Sequence, residues 1–512
     1  MNKFVKMKKM TFQAGMAVLM TLSFGAAAPA QEGALKLSLK EAIKLAAEKN
    51  LDVQVELYNP AISEADLRQS TAIYDPFLNL LTSYGVTTTT NPTLLAANIS
   101  KSKIFDANAG ISQLTPYGGT VGLSFESSWN KSSFPNSPDP SLSNKDIFQN
   151  TLSVNVSQPL LKNFGRDTTE LNISLAKYNK DASLDQFRTR LTAVIAQVRS
   201  EYFKLYSLRE DLEVKKTSLA LAQKILDETN ARVKSGVLPA MEILNAEFNV
   251  ATRERDIIQA ERALSDERDV LRTLLQVDAP GGIDLVDSPF TEPYPISEEE
   301  AIRQALETRP ELKQLRENQR SADLLERVAH HQILPDLSLN ASGGLSGISN
   351  QYDKQWSKLF SADYPVWGVG LTFSYPLGNT SAKNDYIRSK LKSEQLRIQI
   401  RRQEEAIINE VRSAIRAVQS GYKQIDVTNR GSAYAEEVLK AYIKKSEVGL
   451  ATTKDVFDVQ NNLVAAKGAQ ILAKAGYDAA LTQFWKATAE ILEREGITIN
   501  GKEADELYRR VR

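Results

Sequence analysis

Two aspartates, Asp455 and Asp458, have the residue type and spacing for electrostatic chemistry. They stand three positions apart, so on a helix their carboxylates lie on one face. Two carboxylates on one face attract cations and resist each other's approach. Aspartates near the start of a helix also stabilise the helix dipole. The spacing therefore fits a cation-attracting role, a helix-stabilising role, or both.

Catalytic and metal chemistry have no comparable pattern in the chain. No nucleophile, base and orienting group form a recognisable set. His330 and His331 lack patterned Cys, Asp or Glu ligands, and we interpret them as surface residues of the helix before Pro335. The glycine-rich stretch 117–122 lacks the strand-then-helix context of a phosphate-binding loop and predicts a hairpin turn. We therefore predict no enzyme activity, no metal site and no cofactor.

Composition limits the cellular compartment and the class of binding partner that fit this chain. The chain has 63 Lys plus Arg and 63 Asp plus Glu, so no global charge attracts nucleic acid. No cysteine occurs, which excludes disulfides and thiol sites. The N-terminus has the layout of a secretory signal: a charged start, an apolar run from Met16 to Ala28, and small residues at 28–30. The apolar run is shorter than the roughly 20 residues of a membrane-spanning helix. We expect a signal peptide over residues 1–30.

Long helices are predicted in both halves. The segments Leu171–Lys234, Met241–Val277, Ala382–Ser446 and Asp455 to about Leu492 contain no proline. A helix of roughly 60 residues is about 90 Å long. In the first segment apolar residues repeat every 3.5 positions, as in a left-handed coiled coil. These apolar residues form one seam along the helix, which consists of Leu191, Val194, Val198, Leu205, Leu208, Leu212, Leu219, Ala222 and Leu226.

Short turns that contain glycine join the paired helices, at 235–239 and at 447–451. Glycine at a helix end adopts the left-handed conformation that stops the helix. Each half is therefore predicted to contain an antiparallel helical hairpin.

Other segments are rich in Ser, Thr, Gly and Asn, with large apolar residues at alternate positions. This alternation predicts strands with one apolar and one small polar face, as in a lipid-facing barrel. A soluble sandwich is the alternative, because its strands also alternate; the secretory signal and the small number of strands favour the barrel. The predicted strands are Phe77–Thr90, Ile104–Leu114, Thr120–Trp129, Thr151–Gln158, Asp336–Gly344 and Val366–Tyr375. We predict long exposed loops at 134–140 and 346–364.

The two halves repeat each other in sequence. Alignment without a gap pairs Glu41 with Glu300, Ala42 with Ala301, Ile43 with Ile302 and Pro76 with Pro335. We predict an internal duplication, so that one half is built like the other. The expected boundaries are 1–30 for the signal peptide, 31–293 for the first repeat, 294–495 for the second and 496–512 for a C-terminal tail.

This order of parts resembles the TolC-like outer membrane efflux family over essentially the whole mature chain. The resemblance rests on the paired repeats, on Gln158-Pro159-Leu160 between strand and helix, and on Val448-Gly449-Leu450 followed by Asp455-Val456-Phe457-Asp458. It implies a mainly α fold with a β-barrel part: a trimeric α-helical barrel continuous with a membrane β-barrel, internally duplicated. It also implies location in the cell outer membrane, with a long periplasmic part.

The family pattern implies four strands per chain, hence twelve in a shared barrel. This chain departs from that pattern, because the segment Ile104–Trp129 predicts an additional hairpin around 116–119. Either the hairpin joins the barrel and each chain gives six strands, or it caps the barrel from outside. The residues alone leave both arrangements open.

The resemblance places Asp455 and Asp458 at the periplasmic entrance, where threefold symmetry would arrange them as rings of carboxylates. The closed gate of the family often has an arginine four positions before the first aspartate, and this chain has Ala451 there. Glu242 occupies the matching site of the first half and is a candidate partner of Lys444-Lys445. We expect a differently latched or looser entrance, and both open and closed resting states fit the sequence.

The hairpin tips have two interpretations. Such tips dock on the helical hairpins of a periplasmic adaptor in the resembling family, and they are equally ordinary turns with apolar contacts. The candidate docking residues are Gly236, Val237 and Leu238 in the first tip and Val448, Gly449 and Leu450 in the second.

The resemblance implies an outer membrane channel subunit that forms a trimeric exit duct for efflux or secretion across the periplasm and outer membrane. Its partners would be two further copies of the chain, a periplasmic adaptor protein, an inner-membrane pump and outer membrane lipid, but no nucleic acid. The alternative is a trimeric coiled-coil structural or adhesive surface protein with a β-rich anchor, although such fibres keep one helix direction. Neither the exported substrate nor the particular pump and adaptor follow from the sequence.

Overall fold

The computed structural model describes residues 35–91, 98–133, 145–279, 281–499 and 501–511. The predicted signal peptide and the predicted loop at 134–140 lie outside these residues. The helices are α1 Leu39–Lys49, α2 Leu51–Thr71, α3 Arg166–Thr169, α4 Leu171–Lys234, α5 Met241–Leu275, α6 Glu298–Thr308, α7 Pro310–His331, α8 Tyr352–Phe360, α9 Thr380–Glu447, α10 Thr453–Ala487, α11 Ile491–Arg494 and α12 Lys502–Val511, with a 3₁₀ turn at Ala72–Tyr74. The strands are β1 Leu35–Leu37, β2 Phe77–Asn91, β3 Asn98–Leu114, β4 Thr120–Ser133, β5 Lys145–Pro159, β6 Ile283–Leu285, β7 Asp336–Ser349 and β8 Pro365–Ser374.

The four long helices are where the apolar periodicity predicted them, and the fold is mostly helical. The longest, α4 and α9, have 64 and 68 residues. At 1.5 Å per residue each is about 100 Å long. Among the described residues, no helix combines length with enough apolar character to cross a membrane.

The helical hairpins pack side by side. Helix α4 packs against its partner α5 and against α10, and α10 packs against α9. Most residues of the predicted seam in α4 are buried, but Ile195, Tyr202 and Phe203 are buried as well. The buried face of α4 is therefore wider than the predicted seam, because α1, α2 and α7 also pack against this helix.

All six longer strands form one antiparallel sheet in the order β2-β3-β4-β5-β7-β8. The extra hairpin supplies β3 and β4, which are bonded to neighbours on both sides. Of the two arrangements that the sequence left open for this hairpin, the structure therefore supports six strands in one sheet. Capping from outside the sheet is excluded, since each of the two strands lies inside it.

The predicted exposed loop at 346–364 is wrong. Strand β7 continues to Ser349, and residues Tyr352–Phe360 form helix α8, which lies against the sheet. A Cβ atom on Gly347 would collide with the backbone of Gln355 and Leu359. Glycine at this position therefore permits the close approach of helix to strand.

A short parallel pair, β1 with β6, joins the start of the described chain to the segment after α5. The hydroxyl of Tyr202 donates a hydrogen bond to the Leu37 carbonyl at 2.9 Å and accepts one from the Asp287 N–H at 3.1 Å. Tyr202 is fully buried, so this side chain fixes the strand pair to the middle of α4.

A buried ion cluster close to Tyr202 in the sequence of α4 joins this helix to α10 and to the residue that follows α11. The guanidinium of Arg199 lies 2.9 Å from the Asp478 carboxylate, 3.1 Å from that of Glu495 and over the ring of Trp485. The side chain of Asp478 is 1% exposed. Burial raises the pKa of Asp478, and the nearby Arg199 acts in the opposite direction.

Candidate functional site

The two hairpin tips end in the same kind of turn. After α4, the N–H of Val237 donates to the Arg232 carbonyl at 2.9 Å, and after α9 the N–H of Leu450 donates to the Lys445 carbonyl at 2.8 Å. Glycine precedes the donor in each case, with φ of 78° at Gly236 and 79° at Gly449. This is the hydrogen-bond pattern of a helix stopped by a left-handed glycine. The prediction of glycine-stopped turns is confirmed.

Apolar side chains stand exposed on these tips. Val237 and Val448 are each 70% exposed and Leu450 is 78% exposed. Leu238 is half-buried and lines a small cleft between the two hairpins. Across the same cleft, Arg232 donates to the Ser446 carbonyl at 2.7 Å, so the tips are tied to one another.

Asp455 is part of the cap of α10. Its carboxylate accepts the Thr452 hydroxyl at 2.7 Å and the Thr452 N–H at 2.9 Å, and its own N–H donates to the Thr452 hydroxyl oxygen at 3.2 Å. These hydrogen bonds hold the pKa of Asp455 below its ordinary value of 3.8. The helix-stabilising interpretation is therefore confirmed for Asp455. The sequence does carry a signal for this cap, because Thr452 stands three positions before an acidic residue at a helix start.

Asp458 lies on the same exposed side of α10 as Asp455. Between them, Val456 and Phe457 are each 2% exposed, and Phe457 packs against Ala222, Ala246 and Val250 of the other hairpin. The inward apolar pair orients the helix, so both carboxylates face away from the packed interior. The structure thus brings the two predicted aspartates together on one solvent-facing surface.

Glu242 lies in the first turn of α5 and is half-buried. Its predicted ion pair with Lys444 or Lys445 is wrong. The buried Oε2 of Glu242 has no hydrogen-bond partner in the part of the chain that the structure describes, and the ammonium of Lys445 lies over the ring of Tyr442. The contact of Lys445 with Tyr442 on its own helix competes with an ion pair to Glu242 on the other hairpin.

The sheet has two chemically different faces, because cross-strand partners project to the same side. One side, here called the apolar face, carries large apolar side chains in every strand. In β4 these are Val121, Leu123, Phe125 and Trp129, with Val156, Val154, Leu152 and Phe148 as their partners in β5. The other side, the polar face, carries mostly Ser, Thr, Asn and Gly, together with Leu81 and Glu126, and lines a concavity of about 900 Å³.

Helix α8 covers part of the apolar face. Trp356 stacks on Phe125 with ring centroids 5.4 Å apart, and Tyr352 meets Phe148 edge-on at 5.7 Å. Two polar side chains, Asn150 of the sheet and Gln355 of the helix, are fully buried at this contact. A helix of nine residues gives too short a periodic pattern to distinguish from a loop in the sequence.

The two histidines lie at the end of α7. The ring of His330 packs against Tyr386 at 5.3 Å and against His331 at 6.5 Å. In the described part of the chain, no three His, Cys, Asp or Glu side chains are grouped so as to hold a metal ion. The glycine-rich stretch 117–122 spans the turn between β3 and β4, as predicted, with Gly118 at φ 84°.

Comparison with known proteins connects this geometry to a family. The family model described as outer membrane efflux protein matches residues 88–276 and 301–490. The outer membrane efflux protein BepC of Brucella suis biovar 1 (strain 1330) is 23% identical over 365 residues, which span 71% of this chain and 77% of BepC. The outer membrane protein TolC of Escherichia coli (strain K12) is 23% identical over 308 residues, or 58% of this chain and 61% of TolC.

A solved structure has the same fold. The outer-membrane channel OprN aligns with a TM-score of 0.66 at 14% identity, and the alignment covers 88% of this chain and 90% of OprN. At this identity the likeness establishes the shared architecture of sheet and long helices.

Proposed function

Since this chain belongs to the outer membrane efflux protein family, and is therefore an outer membrane channel for efflux with a long periplasmic helical part, we propose that three copies form one exit duct. The observation that carries the proposal is the six-stranded sheet, which is open at both edges. The proposal assigns passage to this chain and the energy-consuming step to a separate inner-membrane pump.

The open edges support closure by neighbouring copies. Strands β2 and β8 each have one bonded neighbour, and their apolar-face residues Leu80 and Trp367 are 72% and 78% exposed. In a bilayer an unpaired strand edge leaves backbone groups without partners, so a spanning sheet must close. In this arrangement β8 of one copy pairs with β2 of the next.

Closure by three copies fixes the size of the barrel. Six strands from each of three chains give eighteen strands, against twelve for four strands per chain. Barrel diameter grows roughly in proportion to strand number, so the duct is about 1.5 times wider in the membrane than a twelve-stranded one. The part of the apolar face that α8 leaves uncovered then contacts lipid, and the polar face lines the duct.

The helical wall supports the same assembly. Its outer members, α5 and α9, expose apolar side chains on the sides away from α4 and α10, including Phe248 and Ile258 on α5 and Ile398 and Tyr434 on α9. Side-by-side packing of α9 on the α5 of a neighbouring copy would cover these residues and continue the wall around a tube.

We propose that the chain is internally duplicated, with repeats over 31–293 and 294–495 between the signal peptide at 1–30 and the tail at 496–512. Equal spacing of elements supports this. Helices α1 and α2 and strand β2 begin at Leu39, Leu51 and Phe77, and α6, α7 and β7 begin at Glu298, Pro310 and Asp336 with the same intervals. The helices after the tips, α5 and α10, both have 35 residues. Two copies in each of three chains would give the tube a quasi-sixfold symmetry.

Asp455 and Asp458 are proposed to line the periplasmic entrance, with Glu242 near the matching position of the first hairpin. Their shared exposed surface supports this role. The test is single-channel recording of D455A/D458A, in which we expect lower cation selectivity and weaker block by divalent cations. Unchanged selectivity and unchanged block would exclude the carboxylate ring.

The exposed tips are proposed to dock on the helical hairpins of a periplasmic adaptor. Since the chain has no cysteine, a single cysteine at Val237 or Leu450 can be labelled with a photocrosslinker in cells. We expect crosslinks to an adaptor subunit from these positions and not from a cysteine at Lys224, which lies about three helical turns before the tip. Crosslinks confined to copies of the chain itself would contradict docking at the tips.

The proposed duct is tested by assembly and conductance together. We expect the purified mature protein to have the mass of three chains and to open water-filled channels in a planar bilayer. Cells that lack the chain should accumulate a fluorescent efflux substrate. A folded monomer without conductance, or normal efflux with lost surface attachment, would instead favour an adhesive fibre; the two glycine-stopped reversals of helix direction already argue against a fibre.

A further inference from the structure

An aromatic row crosses the apolar face near the end of the sheet that is distant from the long helices. Tyr84, Phe105, Trp129 and Phe148 are successive cross-strand partners in β2, β3, β4 and β5. Rows of aromatic residues on the outer surface of a membrane barrel lie at the boundary between hydrocarbon and headgroups. Phe148, at the end of the row, packs against Tyr352 of α8. In the proposed barrel the other three residues mark the level of the outer headgroups on this face.

Lysines follow directly beyond the aromatic row, on the same face. Lys103 in β3 and Lys131 in β4 are direct cross-strand partners, and Lys101 is two positions further along β3. With a rise of about 3.3 Å per residue, the Lys103–Lys131 pair lies about 7 Å beyond the aromatic row. This is the depth of lipid headgroups.

The charges of this lysine group are poorly compensated within the chain. Like charges directly opposite each other destabilise a strand pair. Asp146, the cross-strand partner of Lys131, lies 3.5 Å from its ammonium and also accepts the indole N–H of Trp129 at 3.0 Å. Among the described residues, no carboxylate forms an ion pair with Lys101 or Lys103. The sheet thus holds more positive charge at this point than its own acids neutralise.

We propose that Lys101, Lys103 and Lys131 form a binding surface for the phosphate groups of an anionic lipid in the outer leaflet. The inference rests on the proposed function, since it needs the apolar face to contact lipid. Lysine is suited to this role because its long stem lies along apolar surface while its ammonium reaches the headgroups. Phosphate between Lys103 and Lys131 would also relieve the repulsion between these two side chains.

The matched control lies on the opposite face. Lys145, in β5, is the cross-strand partner of Ser132, so it belongs to the polar face at the same end of the sheet. K103Q and K145Q each remove one positive charge from that end. Only the first removes it from the surface that we assign to lipid.

The experiment uses the purified trimer in detergent and diphosphorylated lipid A as the probe, with bound lipid counted by native mass spectrometry. One lysine near an anionic lipid surface contributes about a fivefold gain in binding. We therefore expect K103Q to lower lipid affinity about fivefold, K101Q/K103Q/K131Q to lower it more than fiftyfold, and K145Q to leave it unchanged. Dephosphorylated lipid A should bind the unmodified protein as weakly as lipid A binds the triple variant.

Three results would overturn the proposal: equal binding of dephosphorylated lipid A, an equal loss in K145Q, or displacement of lipid A by inorganic phosphate at the same concentration. Channel conductance of the same samples is the separate measurement. Failure of the unmodified protein to conduct would count against the duct, whereas a conducting protein whose lipid binding ignores the lysines would count against the lipid surface alone.

Discussion

Deleting strands β3 and β4, residues Asn98–Ser133, should narrow the membrane part of the proposed duct without destroying it. Because successive strands of the sheet are antiparallel, β2 and β5 also run in opposite directions. Removal of the two strands between them leaves a pair that can bond directly. Three shortened chains would close twelve strands in place of eighteen, four from each in place of six.

The expected magnitude follows from the strand count. A diameter proportional to strand number falls to about two-thirds, and the cross-section falls to somewhat under half. The assay is polymer exclusion in single-channel recordings, with polyethylene glycols of increasing size added only on the side of the sheet. We expect the radius of the smallest excluded polymer to fall by about one-third.

The same polymers added on the side of the helical tips provide the control, because the deletion leaves α4, α5, α9 and α10 intact. Exclusion from that side should not change. If the deletion variant remains a trimer and excludes the same polymers from the sheet side as the full chain, then β3 and β4 do not enclose the duct, and the eighteen-strand barrel is refuted.

Three further predictions concern the helical part. Thr452→Val removes the hydroxyl that donates to Asp455 at 2.7 Å, so the pKa of Asp455 should rise toward 3.8. The stability that the depressed pKa contributes above this value should then be lost. The negative charge of Asp455, and with it the cation selectivity of the proposed entrance, should disappear at a higher pH than in the unmodified protein when the solution is acidified, as measured by reversal potential against pH. Phe457→Ala should lower the free energy of unfolding by about 3–5 kcal/mol, because the ring is 2% exposed, and denaturant unfolding measures this. Arg199→Met leaves Asp478 buried without its cation and should destabilise the fold by about 3–5 kcal/mol at pH 7. Since burial raises the pKa of Asp478, this loss should shrink as the pH falls through that raised pKa and the carboxyl is neutralised; an equal loss at pH 7 and pH 4 would contradict the assignment.

Much of this architecture could be predicted because its signals are local. The heptad seam of α4, the alternation in β4 and β5, and the glycines at 236 and 449 each specify structure within one or two elements. Contacts between distant segments gave no such signal. The strands β1 and β6 have three residues each and meet across most of the first half, and Arg199 meets Asp478 from the other half of the chain.

The site was predictable in part for the same reason. The shared face of Asp455 and Asp458 follows from helical spacing alone. The absence of an ion pair between Glu242 and Lys444 or Lys445 did not follow, because a long lysine side chain has several neighbours within reach and Lys445 stacks on Tyr442 one turn away. The lysines of the apolar face were detectable, since Lys101 and Lys103 continue the alternation of β3, but their meaning depends on the register with Lys131.

The two tips share a turn but differ in the helix that follows it, and this difference locates the flexible side of the proposed entrance. Helix α10 starts with a capping box between Thr452 and Asp455, whereas α5 starts at Ala240 with no side-chain hydrogen bond to its first N–H groups. An uncapped first turn leaves its donors to water and frays more easily. Glu242 lies in that turn, with a buried carboxylate oxygen that has no partner among the described residues. Rearrangement of the first turn of α5 would expose this oxygen to water, while the capped aspartate of α10 keeps its position. If these tips form the entrance that we propose, movement there should therefore begin at the first hairpin, while the charge of Asp455 stays fixed.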